Sequence, residues 1–433
     1  MNRTQNIESI QRDMAQNVIQ VLQSSPNDIG ILKPILDQMG TVLSHLSGVD
    51  VNTAENIAAE ETKTKTGLAV SPVIAAKCLQ DIARTRCFIQ GIEQAIEDKI
   101  TVKKGSIQIL YAGTGPYGLL LLPLLLKYKN APLSVTLVDI HQTSITAVNK
   151  VVKAFALEHI VKNIDLADAT QWQPESGVEF DLIISETMKN ALKKEPQLFI
   201  FAHLQQFLKS DGLFIPEAIT LSAWLTDSGK EIKQRMEGKL EFEPILIAEF
   251  YQLNKNTSAQ LHQQGIACLN SKWDIPIFTK THSDLKLCTN IQVYQQHQLT
   301  ELQSGITINE NFFDCKLQSG KTLYFDYKMQ PEPHFSWHSE LFEDELSLPE
   351  LTDVGRLNIM GIKRLWRKTQ LDRQQLLDKQ LQHAEWYNDM ALMDNLGLSL
   401  ENWTQYLYQK PSFADFEDWI ELNSSKSLMK VLG

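Results

Sequence analysis

The sequence has few cysteines and no long apolar run. Five cysteines occur in 433 residues, and no two of them are spaced C-x-x-C. This odd, scattered set indicates neither a disulfide framework nor a zinc site, so no metal is predicted and a cytoplasmic setting is expected. The most apolar run, Leu119 to Leu126, is interrupted by Pro123, and the first residues lack the apolar core of a signal peptide. No membrane association is therefore expected.

Positive charge is also in deficit. The chain holds 41 Lys and Arg against 52 Asp and Glu, a formal net charge of −11. This balance argues against a surface that grips phosphate backbones, so no nucleic-acid partner is expected. It is compatible with a cationic or amine-bearing substrate, on a protein or a small molecule. With 43% hydrophobic residues, the chain is long enough for two or three domains with cores of their own.

The hydrophobic periodicity changes three times along the chain and predicts four regions. Short apolar strands alternate with helical segments in the second region, which predicts a parallel sheet covered on both faces. The regions are a helical N-terminal region 1–65, an α/β domain 66–216, a β-rich domain 217–345 and a helical C-terminal region 346–433. In the α/β domain we predict strands at 106–111, 134–140, 164–167 and 180–185, and helices at 71–96, 143–157 and 197–209. In the β-rich domain we predict strands at 218–226, 287–293 and 322–327.

A glycine loop follows the first strand of the α/β domain. Gly113, Gly115 and Gly118 precede a leucine-rich segment predicted to be a helix, and Asp139 ends the second strand. Glycines let a ligand approach the backbone, and a carboxylate at this place can accept hydrogen bonds from both ribose hydroxyls. The pattern predicts a nucleoside-bearing cofactor, although a tight turn without a ligand and an NAD domain would both show the same residues.

Two further features favour S-adenosylmethionine over NAD. Asp168 follows the third strand, where methyltransferases commonly hold the adenine amino group, although it could simply cap a helix. About 100 residues precede the glycine loop, whereas a dinucleotide domain often begins with its first strand.

Three segments together resemble the protein arginine methyltransferase family. They are Asp81-Ile82-Ala83-Arg84-Thr85, the glycine loop, and Ser185 to Glu195, in which two glutamates lie nine positions apart. The resemblance covers about residues 78–225, a third of the chain. It implies a Rossmann-like methyltransferase domain that binds S-adenosylmethionine. The strand and helix patterns outside this match add a β-rich second domain and helical additions at both ends to the predicted fold. A homodimer is expected.

The resemblance also implies the roles of three side chains. Arg84 would pair with the cofactor carboxylate, and Glu186 and Glu195 would be the catalytic residues. Two carboxylates suit a guanidinium acceptor, because they can hold it through directed N–H bonds and draw its positive charge away from one nitrogen. The alternatives without a ligand are a surface Asp81–Arg84 ion pair and a solvated turn at Glu195.

Other residues depart from the family pattern. Tyr111 stands where many methyltransferases have an acid, and Thr187 replaces the tryptophan that usually follows the first glutamate. Trp337 lies in a segment that only loosely resembles a family loop, and it could stack on substrate or belong to the core.

We predict N-methylation of a guanidine or amine. An NAD-dependent oxidoreductase remains an alternative, as does a non-catalytic binding module, which Lys189, Lys193 and Lys194 favour.

Overall fold

The structure is a computed structural model. It describes residues 3–51, 61–238, 242–278, 282–312, 315, 317–330, 332–339, 342–343, 393, 396–407, 409 and 413–424. Most of the helical C-terminal region predicted at 346–433 lies outside these residues. Within the described part of the chain, no helix is long and apolar enough to cross a bilayer. The same residues hold no cluster of three His, Cys, Asp or Glu side chains that could bind a metal.

The N-terminal helices pack on the α/β domain and share its hydrophobic core. The Gln90 amide nitrogen ties them to it, because it donates to the carbonyl oxygens of Val21 at 3.0 Å and Ser24 at 2.9 Å. The elements before the central sheet are α1 (Arg3–Gln23), α2 (Ile29–Ser47), β1 (Thr62–Lys63), β2 (Leu68–Ala69), α3 (Pro72–Lys77) and α4 (Ile82–Val102).

The single helix predicted over 71–96 is wrong, because the chain forms two helices there. Ser71 caps α3, and a 3₁₀ turn follows at Cys78–Gln80. The Asp81 side chain then accepts the Arg84 backbone N–H at 3.1 Å and starts α4. A capping residue has non-helical backbone angles, so the helix axis can change direction at Asp81.

The central sheet has five parallel strands in the order β5-β4-β3-β6-β7. Most of its strands are apolar on both faces, as expected for a sheet covered by helices. The elements are β3 (Ile107–Ala112), α5 (Leu122–Leu125), β4 (Leu133–Asp139), α6 (Gln142–Ala154), β5 (Val161–Leu166), β6 (Phe180–Ser185), α7 (Gln197–Leu204) and β7 (Leu208–Ile215).

This strand order places a crevice at one edge of the sheet. The chain runs outward from β3 to β4 and β5, then crosses back to lay β6 along the other side of β3. The connection after β3 leads to β4 on one side, and the connection after β6 leads to β7 on the other, so these two loops diverge at the carboxyl ends of the strands. The glycine loop follows β3 and Glu186 follows β6, which brings both to this crevice.

The leucine-rich segment is not the long helix that we predicted. Only Leu122–Leu125 is α-helical, followed by a 3₁₀ turn, and residues 116–121 form turns. Gly118 has a φ of +54°, which interrupts helical geometry, and Pro123 has no N–H to give to a preceding turn. The glycine loop therefore lacks a regular helix N-terminus directly behind it.

Two antiparallel sheets follow the α/β domain, with orders β12-β11-β8-β9 (β13 also pairs with β11) and β10-β14-β15-β16. All three strands predicted here are present, the first with the same ends. The elements are β8 (Ala218–Thr226), α8 (Ser228–Glu237), β9 (Ile245–Leu253), α9 (Lys255–Gln264), β10 (Ser271–Asp274), β11 (Asp284–Tyr294), β12 (His297–Leu299), β13 (Glu310–Phe312), β14 (Thr322–Lys328), β15 (His334–Ser339) and β16 (Phe342–Glu343).

Two C-terminal helices, α10 (Leu400–Leu407) and α11 (Phe413–Asn423), have a small core of their own around Trp403, Phe416 and Ile420. Together, the parallel sheet with its helices and the β-rich region confirm the predicted fold class. The domain boundaries at residues 65, 216 and 345 stay a prediction.

Candidate active site

One cavity at the carboxyl ends of β3, β4 and β6 brings the predicted site residues together. Seven of the eight line it, namely Arg84, Gly113, Gly115, Asp139, Asp168, Glu186 and Glu195. Gly118 does not line the cavity but stands in the turns before α5. The space between the walls, including the mouth, is about 1130 Å³, which is ample for a ligand of cofactor size.

The glycine loop is fixed to both neighbouring strand ends. Gly113 has a φ of +77°, and a Cβ atom there would collide with the Thr187 methyl group beyond β6. Gly115 has a φ of +59°, and its N–H donates to an Asp139 carboxylate oxygen at 2.8 Å. Glycine is therefore required at 113 by both sterics and backbone angle.

Asp139 is 6% exposed and organises the wall beyond β4. One oxygen accepts the Gly115 N–H, and the other accepts the His141 N–H at 2.9 Å. Each carboxylate oxygen has two lone pairs, so both keep acceptor capacity. The carboxylate thus holds the glycine loop and still presents acceptors to the cavity.

Asp168 combines the two roles that the sequence left open. Its Oδ1 accepts the Thr170 backbone N–H at 2.9 Å and the Thr170 hydroxyl at 2.8 Å, which closes a local turn. The residue also lines the cavity. The turn fixes the side chain and leaves Oδ2 out of these two hydrogen bonds.

Arg84 forms an ion pair with Glu186 inside the cavity, between Nη2 and Oε2. The alternative of a surface Asp81–Arg84 pair is wrong. One Asp81 oxygen accepts the Arg84 backbone N–H, and the other accepts the Ser304 hydroxyl at 2.6 Å and the Gly305 N–H at 2.8 Å. Asp81 therefore anchors α4 to the β-rich region and leaves the Arg84 guanidinium to the cavity.

Gln197, which was not among the predicted site residues, holds the strand end that carries Glu186. It is fully buried. Its Oε1 accepts the Thr187 N–H at 2.7 Å and the Thr187 hydroxyl at 3.0 Å, and its Nε2 donates to the Ser185 carbonyl at 3.1 Å. No local pattern marks this glutamine, because the two chain segments meet only through the fold.

Glu195 lies in the cavity wall, so the alternative of a solvated turn is wrong. Burial raises the pKa of Glu195 to about 7, and the positive charges of Arg84 and Lys189 oppose this only in part. The neighbouring lysines contact the β-rich region instead. Lys193 pairs with Glu310, and the Lys194 ammonium lies 3.2 Å from the Glu332 carboxylate.

The loop before Glu195 contains three residues in the left-handed region of backbone geometry. Ala191, Leu192 and Lys194 have φ values of +57°, +53° and +66°. A side chain in the left-handed region costs roughly 1–3 kcal/mol, so surrounding contacts must impose this conformation.

A small hairpin, β1 and β2, closes one side of the cavity. Thr64 and Leu68 line it, and the Leu68 N–H donates to the Lys194 carbonyl at 2.7 Å. Gly67 packs so closely that a Cβ atom would lie 2.6 Å from the same carbonyl oxygen. No strand was predicted in either of these two segments.

Three buried polar atoms of cavity residues have no hydrogen-bond partner among the described residues. They are Glu186 Oε1, His141 Nε2 and Ser144 Oγ. Buried polar groups are nearly always satisfied in folded proteins, so these three point to a polar ligand.

The two aromatic departures from the family pattern have different surroundings. Tyr111 lines the cavity, where burial raises its pKa. Trp337 is 1% exposed and belongs to the hydrophobic core, which decides its role against stacking on substrate.

Comparison with known proteins finds likeness in structure only. The chain matches no protein-family model and no curated protein. The Trypanosoma brucei PRMT1 enzyme–prozyme heterotetrameric complex with AdoHcy is similar over 63% of this chain and 94% of that chain, with 14% identity and a TM-score of 0.42. Arabidopsis thaliana protein arginine methyltransferase 10, in an open conformation, is similar over 63% of this chain and 93% of that chain, with 13% identity and a TM-score of 0.42. At these identities the likeness is one of fold alone.

Proposed function

We propose that this protein is an S-adenosylmethionine-dependent methyltransferase that N-methylates a guanidine or amine group. The proposal rests on one observation: seven of the predicted site residues line one cavity, in the crevice between the loops after β3 and β6. These residues come from segments up to about 110 positions apart in the chain, so their meeting is not a property of one local motif.

The polar side chains of the cavity fit a nucleoside-bearing cofactor. Asp139 would accept the ribose hydroxyl hydrogens, and Asp168 would accept from the adenine amino group. Arg84 would bind the cofactor carboxylate while keeping Glu186, because a guanidinium has five N–H donors. When bound, the cofactor supplies an electrophilic methyl group on a sulfonium.

Glu186 and Glu195 would hold the acceptor nitrogen. Their carboxylates would accept N–H bonds from a guanidinium, localise its charge and leave one nitrogen more nucleophilic. Glu186 is oriented by Arg84 and Gln197, and Glu195 by the loop before it, so little reorganisation is needed when the acceptor binds.

Calorimetry with S-adenosylhomocysteine tests the cofactor assignment. We expect binding in the micromolar range, about −8 kcal/mol. Asp139→Ala should weaken it by roughly 1.5–3 kcal/mol, the scale of hydrogen bonds to a charged group. Binding of NADH instead would support an oxidoreductase. Binding of S-adenosylhomocysteine without turnover on guanidines, amines or arginine-rich peptides would support a non-catalytic module.

A further inference from the structure

Two lysines directly before Glu195 form ion pairs with acids of the β-rich region. Lys193 pairs with Glu310, and their side chains are 24% and 16% exposed. Lys194 pairs with Glu332 at 3.2 Å, with exposures of 14% and 33%. Charges that are partly shielded from water attract each other more strongly than charges on the open surface.

The backbone of the same loop is held by the same region. The Lys194 N–H donates to the Pro333 carbonyl at 2.6 Å, and the Ala191 N–H donates to the Thr289 hydroxyl at 2.8 Å. The Asn190 side chain donates to the Ile308 carbonyl at 2.9 Å. Every one of these partners lies about 100 or more residues beyond the loop.

The direction of Glu195 depends on the two residues before it. Lys193 is extended, with φ −96° and ψ 157°, whereas Lys194 is left-handed. This change of backbone conformation lets both lysines contact the β-rich region while Glu195 enters the cavity wall. An unsupported chain would not keep the left-handed residues.

We propose that Lys193 and Lys194 are positioning residues, which hold Glu195 in the cavity through their ion pairs with Glu310 and Glu332. The catalytic consequence rests on the proposed function, whereas the positioning itself does not. In this role the lysines support the acidic site, and they no longer favour a non-catalytic module.

Hydrogen exchange and carboxyl NMR of the full chain test the positioning without any assay of turnover. In Lys193→Met, the Lys194 and Glu195 amides should exchange at least about tenfold faster, because the loop opens more often. The Glu195 carboxyl should gain water, so its pKa should fall from about 7 toward its ordinary value. Lys272→Met, at an exposed lysine of β10, is the matched control and should match wild type in both measurements.

Lys193→Arg and the exchange of Lys193→Glu with Glu310→Lys both keep the total charge of the pair. They distinguish loss of a specific ion pair from general loss of structure. Lys193→Arg keeps the pair and should behave like wild type. Lys193→Glu should open the loop, and adding Glu310→Lys should restore protection. Wild-type exchange and an unchanged Glu195 pKa in Lys193→Met, or a swap that restores nothing, would overturn the proposal.

Methyl transfer supplies the catalytic readout. Lys193→Met should lower kcat about 10–100-fold, the scale of small misplacements of a reacting group, and leave S-adenosylhomocysteine affinity unchanged. Absence of turnover in wild type would count against the proposed function only, because the exchange and NMR results would still decide the positioning. An open loop with full turnover would contradict the role of Glu195 positioning in catalysis.

Discussion

The two glutamates of the cavity differ in how their charges are compensated. Glu186 meets Arg84 in an ion pair, whereas burial dominates the environment of Glu195 and raises its pKa to about 7. The two carboxyl groups therefore have different electrostatic surroundings before an acceptor binds, and each is replaced separately below.

Glu186→Gln and Glu195→Gln test whether the acceptor is a guanidinium. Each variant keeps shape and removes one negative charge, so each should lower turnover by about 10²–10³ if both carboxylates hold a delocalised cation. Glu158→Gln, at an exposed position of the α/β domain, is the control in the methyl-transfer assay. A severe Glu186→Gln with a silent Glu195→Gln would reject the two-glutamate mechanism and favour a neutral amine acceptor.

The pKa of Glu195 predicts a pH dependence of activity. Below about pH 7 the carboxyl is protonated and cannot attract a cation. We therefore expect kcat/KM to rise with pH and level off above about 7, because kcat/KM reports the free enzyme. This limb should be absent from the residual activity of Glu195→Gln, and its persistence there would assign it to another group.

The raised pKa of Glu195 also affects the stability of the fold. Activity should rise with pH, whereas the stability from this group should fall. The folded protein binds the Glu195 proton more tightly than the unfolded chain, whose ordinary value is 4.5. Stability from this group is complete below about pH 4.5 and is lost as pH rises through about 7. Urea unfolding should show Glu195→Gln more stable than wild type by roughly 3 kcal/mol at pH 8 and similar at pH 4.

Among the elements, the glycine loop lies against the loop after β6 in the cavity wall. Gly113 and Thr187 touch there, and Gln197 holds Thr187 in place. Thr187 stands where the family that the sequence resembles usually has a tryptophan.

Gly113→Ala tests that contact. The new methyl group would meet the Thr187 side chain and would also sit at a φ of +77°. We expect a loss of roughly 2–3 kcal/mol in urea unfolding, together with weaker S-adenosylhomocysteine binding. Adding Thr187→Ser removes the colliding methyl and keeps the hydroxyl, so it should recover part of the loss. Additive effects of the two changes would show that the contact is not the cause.

The sequence predicts an element well where a short apolar run lies between two turns. Strand β6 was predicted at its observed ends because all six of its residues are buried between two layers. The prediction of a long helix after the glycine loop was wrong because Gly118 and Pro123 interrupt helical geometry among the leucines. The burial of Glu195 could not be predicted, since Glu310 and Glu332, which bind its neighbours, lie more than 100 residues away.

At the scale of the whole molecule, the net charge of −11 acts on any charged partner. A cationic peptide should be attracted over several ångströms, and salt should screen that attraction. Between about 0.05 and 0.5 M salt, the KM of an arginine-rich peptide should rise by about tenfold. The KM of a small neutral amine is the control and should hardly change, and equal responses of both acceptors would contradict electrostatic attraction.

The shared core of the N-terminal helices also constrains how the protein is made. Helix α2 packs against α6, whose residues are synthesised about 95 positions later. At roughly 5–20 residues per second, the part of its surface that packs on α6 stays uncovered for about 5–20 s after α2 is synthesised. Nascent chains stalled before residue 142 should therefore bind a hydrophobic chaperone, and chains stalled after the central sheet is complete should release it.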